Sequence, residues 1–336
     1  MAGRSLEVRA ERLRLKAPFR ISGYVFEATD AIVVMVAQGP HRGRGEASGV
    51  YYLNDDLDHM LGEIEAHRAA IESGADRGAL RALMPAGGAR NAVDCALWEL
   101  EAAQANRPVW ELAGLPAPKP LVTTFTLGAE TPDKMAKGAR AYAEAKAIKL
   151  KLTGEIGIDL DRVRAVREAR PDVWIGVDAN QGFARPDLEW LVEGLVDLRV
   201  SLLEQPLPRG CEADLQGFKS PIPLAADESA LTLADVRGLV GRFDVVNIKL
   251  DKCGGLTEGL IMAENARRLG LGVMVGNMVG TSLAMAPAFV LGQLCDFVDL
   301  DGPTFLAEDR SPTVRYRDGE IFCGDEVWGG AGKLAA

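Results

Sequence analysis

Lysines and carboxylates recur at equivalent places along this chain, and they are the residues with chemistry to offer. In AIKLKL, residues 147–152, Ile148, Leu150 and Leu152 share one face of a strand, so Lys149 and Lys151 share the other. The segment is apolar and lies between helix-like stretches, which puts two ammonium groups where water is scarce. Asp178, Glu204 and Asp227 sit near the ends of three further apolar stretches, 26 and 23 positions apart. A single such carboxylate reads equally well as a solvated loop charge or a helix cap. Three brought to one place would repel strongly in a low dielectric, and a hard divalent cation with oxygen ligands relieves that. Mg2+ fits, because it takes a few carboxylates and keeps positions for water or substrate oxygens. Asn180 and Glu228 adjoin these ligands and are placed to steady them.

Lys249 stands near the end of VVNIKL in the same manner. A lysine beside a divalent cation and a second lysine has its charged form disfavoured, which moves it toward the range of a general base. Lys149 is then the cation that depresses Lys151. Simple pairing of the lysines with the acidic groups is the alternative; it explains the charge balance but not a lysine on each side. Two opposed bases about a metal suit removal of a proton from one face of a carbon and its return to the other. That is racemisation or epimerisation beside a carboxylate, with the metal holding both oxygens of an enediolate.

The elements that must position these groups form a repeat. Short apolar strands are expected at 121–127, 147–152, 173–179, 200–206, 222–228, 245–250, 271–277 and 297–302, separated by amphipathic helices such as PDKMAKGARAYAEAKA. Eight strands at this interval predict an α/β chain with a (β/α)8-type, modified TIM barrel, whose strand ends carry the chemistry. An open doubly wound sheet would show a glycine-rich phosphate fingerprint after its first strand, and GAETPDKM is not one. The lysines then stand on strands two and six, across the barrel from each other. The first 120 residues alternate like antiparallel strands and continue into helices over about 57–83 and 89–105, broken at PAGGAR. We expect residues 1–120 to form an α+β capping domain, completed by 305–336, over a barrel of 121–304.

The net charge of −10 argues against nucleic acid, and no apolar run is long enough to span a membrane. Five scattered cysteines without a CxxC pair fit free thiols in the cytoplasm. The three histidines, His41, His59 and His67, all precede the barrel, which disfavours a histidine base or a Ser-His hydrolase. A Schiff-base aldolase also uses a barrel lysine but needs no carboxylate triad.

IKLKL, VDAN, LLEQP, ADES and NIKLDKCGG, in this order, resemble the muconate-lactonizing subgroup of the enolase superfamily. RNAVDCALWEL and FVDLDGPTFLAED resemble its dipeptide epimerases, and the likeness runs through nearly the whole chain. It implies one Mg2+ per subunit on Asp178, Glu204 and Asp227, and Lys151 and Lys249 as bases for the two epimers, Lys149 tuning the first. It also implies that Asp299 and Asp301 receive the α-ammonium of a small dipeptide, and it is compatible with a homo-oligomer, although no segment marks an interface. A lysine or histidine base with Mg2+ and an enediolate is the known pattern of enolase-type sites, so agreement on those parts is not independent support.

Relatives acting on L-Ala-D/L-Glu resemble a pattern with an arginine in the mobile loop after the first strand. Here the corresponding stretch FRISGYVFEATD holds Tyr24, Val25 and Phe26, and Arg20 lies several residues earlier. Val50, Tyr51 and Tyr52 add apolar surface from a second cap loop, and Met278 follows strand seven. An apolar pocket at Tyr24, Phe26, Tyr51 and Met278 does not compensate the desolvation of a glutamate carboxylate, so a hydrophobic residue is expected at the inverted position. These side chains could equally serve only to exclude water. Asp55 and Asp56 leave room for a cationic side chain, though both read as first-turn residues of the next helix. The competing activities on one scaffold are N-acyl amino acid racemase, o-succinylbenzoate synthase, cycloisomerase, and L-Ala-D/L-Glu epimerase without the arginine. A catalytically silent barrel would need a broken triad or a missing lysine.

Overall fold

The computed structural model describes residues 3–21 and 23–331. Arg4–Ile21 (β1), Tyr24–Gln38 (β2) and His41–Ala47 (β3) pair antiparallel in that order. The stretch expected to be a mobile loop is therefore the tip of a hairpin: Phe19 pairs with Phe26 and Ile21 with Tyr24, beyond a register shift between Arg14 and Phe19.

The sheet packs on the helix Gly88–Ala105, whose residues are nearly all buried, between β3 and the barrel. Gly43 and Gly45 make this close approach possible: a Cβ on Gly45 would lie 2.0 Å from the carbonyl oxygen of Ala92. Backbone meets backbone there, so no rotamer change relieves the clash. Gly45→Ala is expected to lower stability by about 1–3 kcal/mol, seen as a lower urea midpoint with an unchanged slope. The single helix expected over 57–83 is two, Leu57–Glu72 and Arg77–Leu83. Gly74 turns the chain at φ 104° and the Asp76 side chain caps the second helix by accepting from Ala79 N.

The remaining strands are Leu121–Val122 (β4), Thr124–Leu127 (β5), Ala147–Lys151 (β6), Trp174–Asp178 (β7), Leu202–Glu204 (β8), Leu224–Ala226 (β9), Val245–Lys249 (β10), Gly272–Gly276 (β11), Phe297–Val298 (β12), Arg315–Arg317 (β13) and Glu320–Phe322 (β14). β5 to β12 form one parallel sheet in sequential order, as the repeat predicts. The expected first strand over 121–127 divides, because β4 pairs with β14 and only β5 enters the barrel sheet. Side chains join its two ends: Leu300 N donates to Thr123 Oγ1 (2.9 Å) and Thr126 N to Asp301 Oδ2 (2.6 Å).

Strand parity then sorts the residues. Ile148, Leu150, Ile175, Val177, Val246, Ile248, Val273 and Val275 belong to the large core cluster shared with the helices. Leu202, Ala225, Val245 and Met274, with Trp174 and Phe297, make a separate small cluster of the opposite parity, inside the barrel. The tail beyond β14 returns to the cap, where Trp328 Nε1 donates to the Arg44 carbonyl (2.8 Å) and Gly329 N to Glu99 Oε1 (3.1 Å). No helix among the described residues is long and apolar enough to cross a membrane.

Candidate active site

The residues of inward parity beyond that apolar plug are Lys149, Lys151, Asp178, Glu204, Asp227, Asn247 and Lys249, all buried. Oxygen atoms of Asp178, Glu204 and Asp227 lie within 4.8 Å of one another, so a single ion can reach all three. Lys151 Nζ is 2.6 Å from Asp178 Oδ2, and Lys249 Nζ is 2.6 Å from Asp227 Oδ2. Lys149 Nζ lies 3.2 Å from the same Asp178 oxygen, 2.7 Å from Glu204 and 2.8 Å from Asp299. Gly276 leaves room for this: its Cβ would stand 3.0 Å from Lys249 Cε.

Electrostatics follow from the crowding of buried charges. Burial works against charge on Lys149, but Asp299, Glu204 and Asp178 outweigh it and hold the amine well above its ordinary range. Burial likewise opposes charge on Lys249, and Asp227 and Glu204 overcome it. Burial would raise Asp178, yet Lys151 and Lys149 bring it down to about 2. Glu204 goes the other way, up to about 7, through burial and the neighbouring Asp178 anion. Burial also raises Asp227, but Lys249 and Lys252 reverse that and hold it low.

Buried oxygens without a hydrogen bond gather here: Glu228 Oε2, Asn180 Oδ1 and Asn247 Oδ1. Together with three hard carboxylates, they match the needs of a divalent cation with oxygen ligands rather than of a softer metal.

Three supporting residues have no counterpart among the sequence expectations. Lys252 Nζ donates to Asp227 Oδ1 (2.6 Å), to its carbonyl (2.5 Å) and to the Asn247 carbonyl (3.0 Å). Asn247 Nδ2 donates to Glu204 Oε1 at 2.9 Å. Gln205 Oε1 accepts from Asp227 N (2.9 Å) and Ser229 N (3.1 Å). The spacing of Lys252 three residues after Lys249 is a usable signal, since a strand running into a short helix turns both toward one point.

A cavity of about 730 Å3, its mouth included, opens over this cluster. Lys151, Lys249 and Asp227 reach it from the barrel, and Phe26, Tyr51 and Met278 line it. Leu15, Phe19, Ile21, Tyr52 and Val279 add apolar or aromatic surface. Tyr24 stays 47% exposed, stacks on Phe26 and meets Tyr51 edge-on, with ring centroids 5.9 and 4.7 Å apart. Arg20 points elsewhere and pairs with Glu130 at 3.1 Å. Asp56 caps its helix by accepting from His59 N (3.0 Å), whereas Asp55 is buried, accepting from Gly88 N (2.7 Å), and is not a first-turn residue. Asp251 accepts from Ser48 N (2.9 Å) and Gly49 N (3.1 Å), tying the second cap segment over the barrel mouth. Asp299 and Asp301 are buried beneath the cavity rather than in its lining. Asp299 is committed to Lys149 and to Thr124 Oγ1 (2.5 Å), and Asp301 to Thr126 N. Burial and the adjoining Asp299 anion push Asp301 up to about 7.

Residues 4–114 match the family described as mandelate racemase/muconate lactonizing enzyme, N-terminal domain, and residues 134–325 that described as enolase C-terminal domain-like. The chain is 37% identical to an L-Ala-D/L-Glu epimerase of Escherichia coli K12 over 95% of this chain and 99% of that one. It is 44% identical to an N-acetyl-D-glutamate racemase of a Pseudoalteromonas species, over 74% and 78%. Among solved structures, an enolase family member from Agrobacterium tumefaciens with bound sodium and L-Ala-L-Glu superposes with a TM-score of 0.92 at 39% identity, covering 97% of this chain and 100% of that one. A dipeptide epimerase from Enterococcus faecalis V583 with Mg and L-Leu-L-Tyr gives 0.90 at 27%, covering 98% and 99%.

Proposed function

The chain belongs to the mandelate racemase/muconate lactonizing enzyme family of the enolase superfamily, and from that membership we propose that it is a Mg2+-dependent dipeptide epimerase. The observation that carries the reading is one cavity into which Lys151 and Lys249 both project, with Asp178, Glu204 and Asp227 converging at its floor. An ion bound there would supply positive charge beside a substrate carboxylate, which would make the adjacent Cα proton removable. Asp178, Glu204 and Asp227 would hold the ion, and Lys151 and Lys249, which reach the cavity, would face the substrate. One takes the Cα proton from its face of the C-terminal residue; the other delivers a proton to the opposite face, and the configuration inverts. Lys149 shares the Asp178 oxygen with Lys151 and so competes with it for that anion. Asp299 and Asp301 are assigned to the substrate's α-ammonium, and Tyr24, Phe26, Tyr51 and Met278 to its side chain. The apolar and aromatic lining excludes water from the proton transfer. The five free cysteines and the net charge of −10 support a cytoplasmic protein without a nucleic-acid partner.

We assign a hydrophobic C-terminal residue because the described cavity lining has no arginine, its only cations being Lys151 and Lys249. The relatives divide on this point, since two are named for or hold glutamate dipeptides. Phe26→Arg is therefore expected to raise kcat/KM for L-Ala-L-Glu relative to L-Ala-L-Leu by about 10–100-fold, the worth of one charged hydrogen bond. A loss for both substrates alike would remove Phe26 from the side-chain site.

A second reading is an N-acyl amino acid racemase, favoured by the 44% relative and by the engagement of Asp299 with Lys149. Pools of free L-Ala-L-Xaa dipeptides and of N-acetyl amino acids, glutamate included, separate the two in D2O with Mg2+. Loss of the Cα proton signal from the free dipeptides supports the epimerase. Exchange confined to acetylated compounds overturns it in favour of the racemase.

A further inference from the structure

Lys249 is the last residue of β10, and the chain continues directly into the four-residue helix Leu250–Cys253. Lys252, on that helix, has no solvent-exposed side-chain surface, and its Nζ spends its three donors on Asp227 Oδ1, the Asp227 carbonyl and the Asn247 carbonyl. Asp227 is thus gripped from two sides, by Lys252 at Oδ1 and by Lys249 at Oδ2, both at 2.6 Å. The orientation of the carboxylate that faces Lys249 depends on where this short helix sits.

What fixes the helix comes from the cap. Carbonyls at a helix end lack intrahelical partners, and those of Cys253 and Gly254 are taken by Arg90, through Nη2 and Nε respectively, the second at 3.1 Å. Arg90 lies near the start of the helix Gly88–Ala105 and is 5% exposed. Its remaining Nη1 donates to the carbonyls of Arg81 and Met84, each at 3.3 Å, which ties it into the cap. The fit is tight: Gly254 has φ +82°, and a Cβ there would stand 2.2 Å from Arg90 Nε. The guanidinium makes no hydrogen bond to β6, which carries Lys151, among the described residues.

We infer that Arg90 is a positioning residue for the Lys249 face of the site, acting through the Cys253 and Gly254 carbonyls, the short helix and the Lys252 grip on Asp227. The inference rests on the two-lysine reading above and deepens it, because it makes the cap a determinant of one half-reaction and not only of substrate fit.

The test compares Cα proton exchange in D2O, at saturating Mg2+, from the L,L and L,D epimers of one dipeptide. The epimer that depends on Lys249 is identified as the one whose exchange is lost in Lys249→Ala. Arg90→Lys keeps the charge but not the forked contact, and Gly254→Ala displaces the guanidinium without deleting it. In both, exchange from the Lys249-dependent epimer is expected to fall by about tenfold or more relative to the other, since a misplacement of about 1 Å can cost 10²-fold. Folding is checked by near-UV circular dichroism, and either folded variant suffices. An unchanged ratio, or an equal fall for both epimers, overturns the inference and leaves Arg90 a purely structural residue. Absence of exchange from both epimers in the unmutated protein instead defeats the two-lysine reading itself.

Discussion

Alanine at Lys151 or at Lys249 is expected to lower net inversion by about 10²–10⁴-fold in both directions, while each variant keeps solvent exchange at the Cα of one epimer only. Net inversion needs one group to remove the proton and the other to deliver one, so loss of either stops the traffic both ways. Exchange without inversion needs only the lysine on the face where the proton sits. The two variants should therefore retain complementary epimers. The geometry behind this is the separation of the two amines onto different carboxylates, Lys151 on Asp178 and Lys249 on Asp227. Loss of exchange from the same epimer in both variants would mean that the lysines act on one face. Polarimetry for inversion and NMR for exchange read the two quantities on the same samples.

Removing the proposed metal ligands is expected to have an equally large effect on activity but unequal effects on stability, depending on which residue goes. Glu204→Gln and Asp227→Asn should each abolish the calorimetric Mg2+ binding signal and the rise in Tm that Mg2+ produces. In metal-free protein, Glu204→Gln should cost less, because Asp178 and Asp299 still neutralise Lys149 and the Glu204 anion is already disfavoured by burial beside Asp178. Asp227→Asn should destabilise by about 3–5 kcal/mol, because it leaves Lys249 and Lys252 buried without their counter-charge. Equal destabilisation by both would show that the carboxylates are held by something other than this balance of buried charge.

The barrel is legible in the sequence because its strands are short apolar runs at a regular interval, and the strand-end carboxylates because they recur one βα unit apart. Positions in pairwise contact are less so. Nothing in LVTTFTL announces that Leu121 and Val122 leave the barrel for β14, since the partner strand lies about two hundred residues away and apolar character serves either pairing. The hairpin tip at Phe19–Phe26 reads as a loop because its glycine and aromatics lack alternation, although its partner strand supplies the hydrogen bonds. The break after Glu72 does have a signal in Gly74 and Asp76, which the continuous helical periodicity outweighs.

Within the site, residue type points to the candidate metal ligands and the lysines but not to their mutual partners. That Lys149 engages Asp299 follows from the closure of the barrel, which brings β12 beside β5 and β6. Strand-end counting places both residues at the mouth without revealing that they bind each other. Arg90 is invisible for a related reason, since it lies in a helix whose amphipathic pattern explains its apolar residues and says nothing of a buried guanidinium, whereas Lys252, in a helix only four residues long, is signalled by its spacing from Lys249 alone.

At the centre of the proposed mechanism, two opposed lysines exchange a Cα proton with solvent while the carboxylate is held by a divalent ion. The most direct test is to incubate a single free dipeptide, L-Ala-L-Leu, with the protein in D2O, with and without Mg2+, and to follow the Cα signals of both epimers. The expected result is Mg2+-dependent appearance of the L,D epimer carrying deuterium at the inverted carbon from the first turnovers. An L,D product that retains its protium, or inversion undiminished after removal of Mg2+, would contradict it.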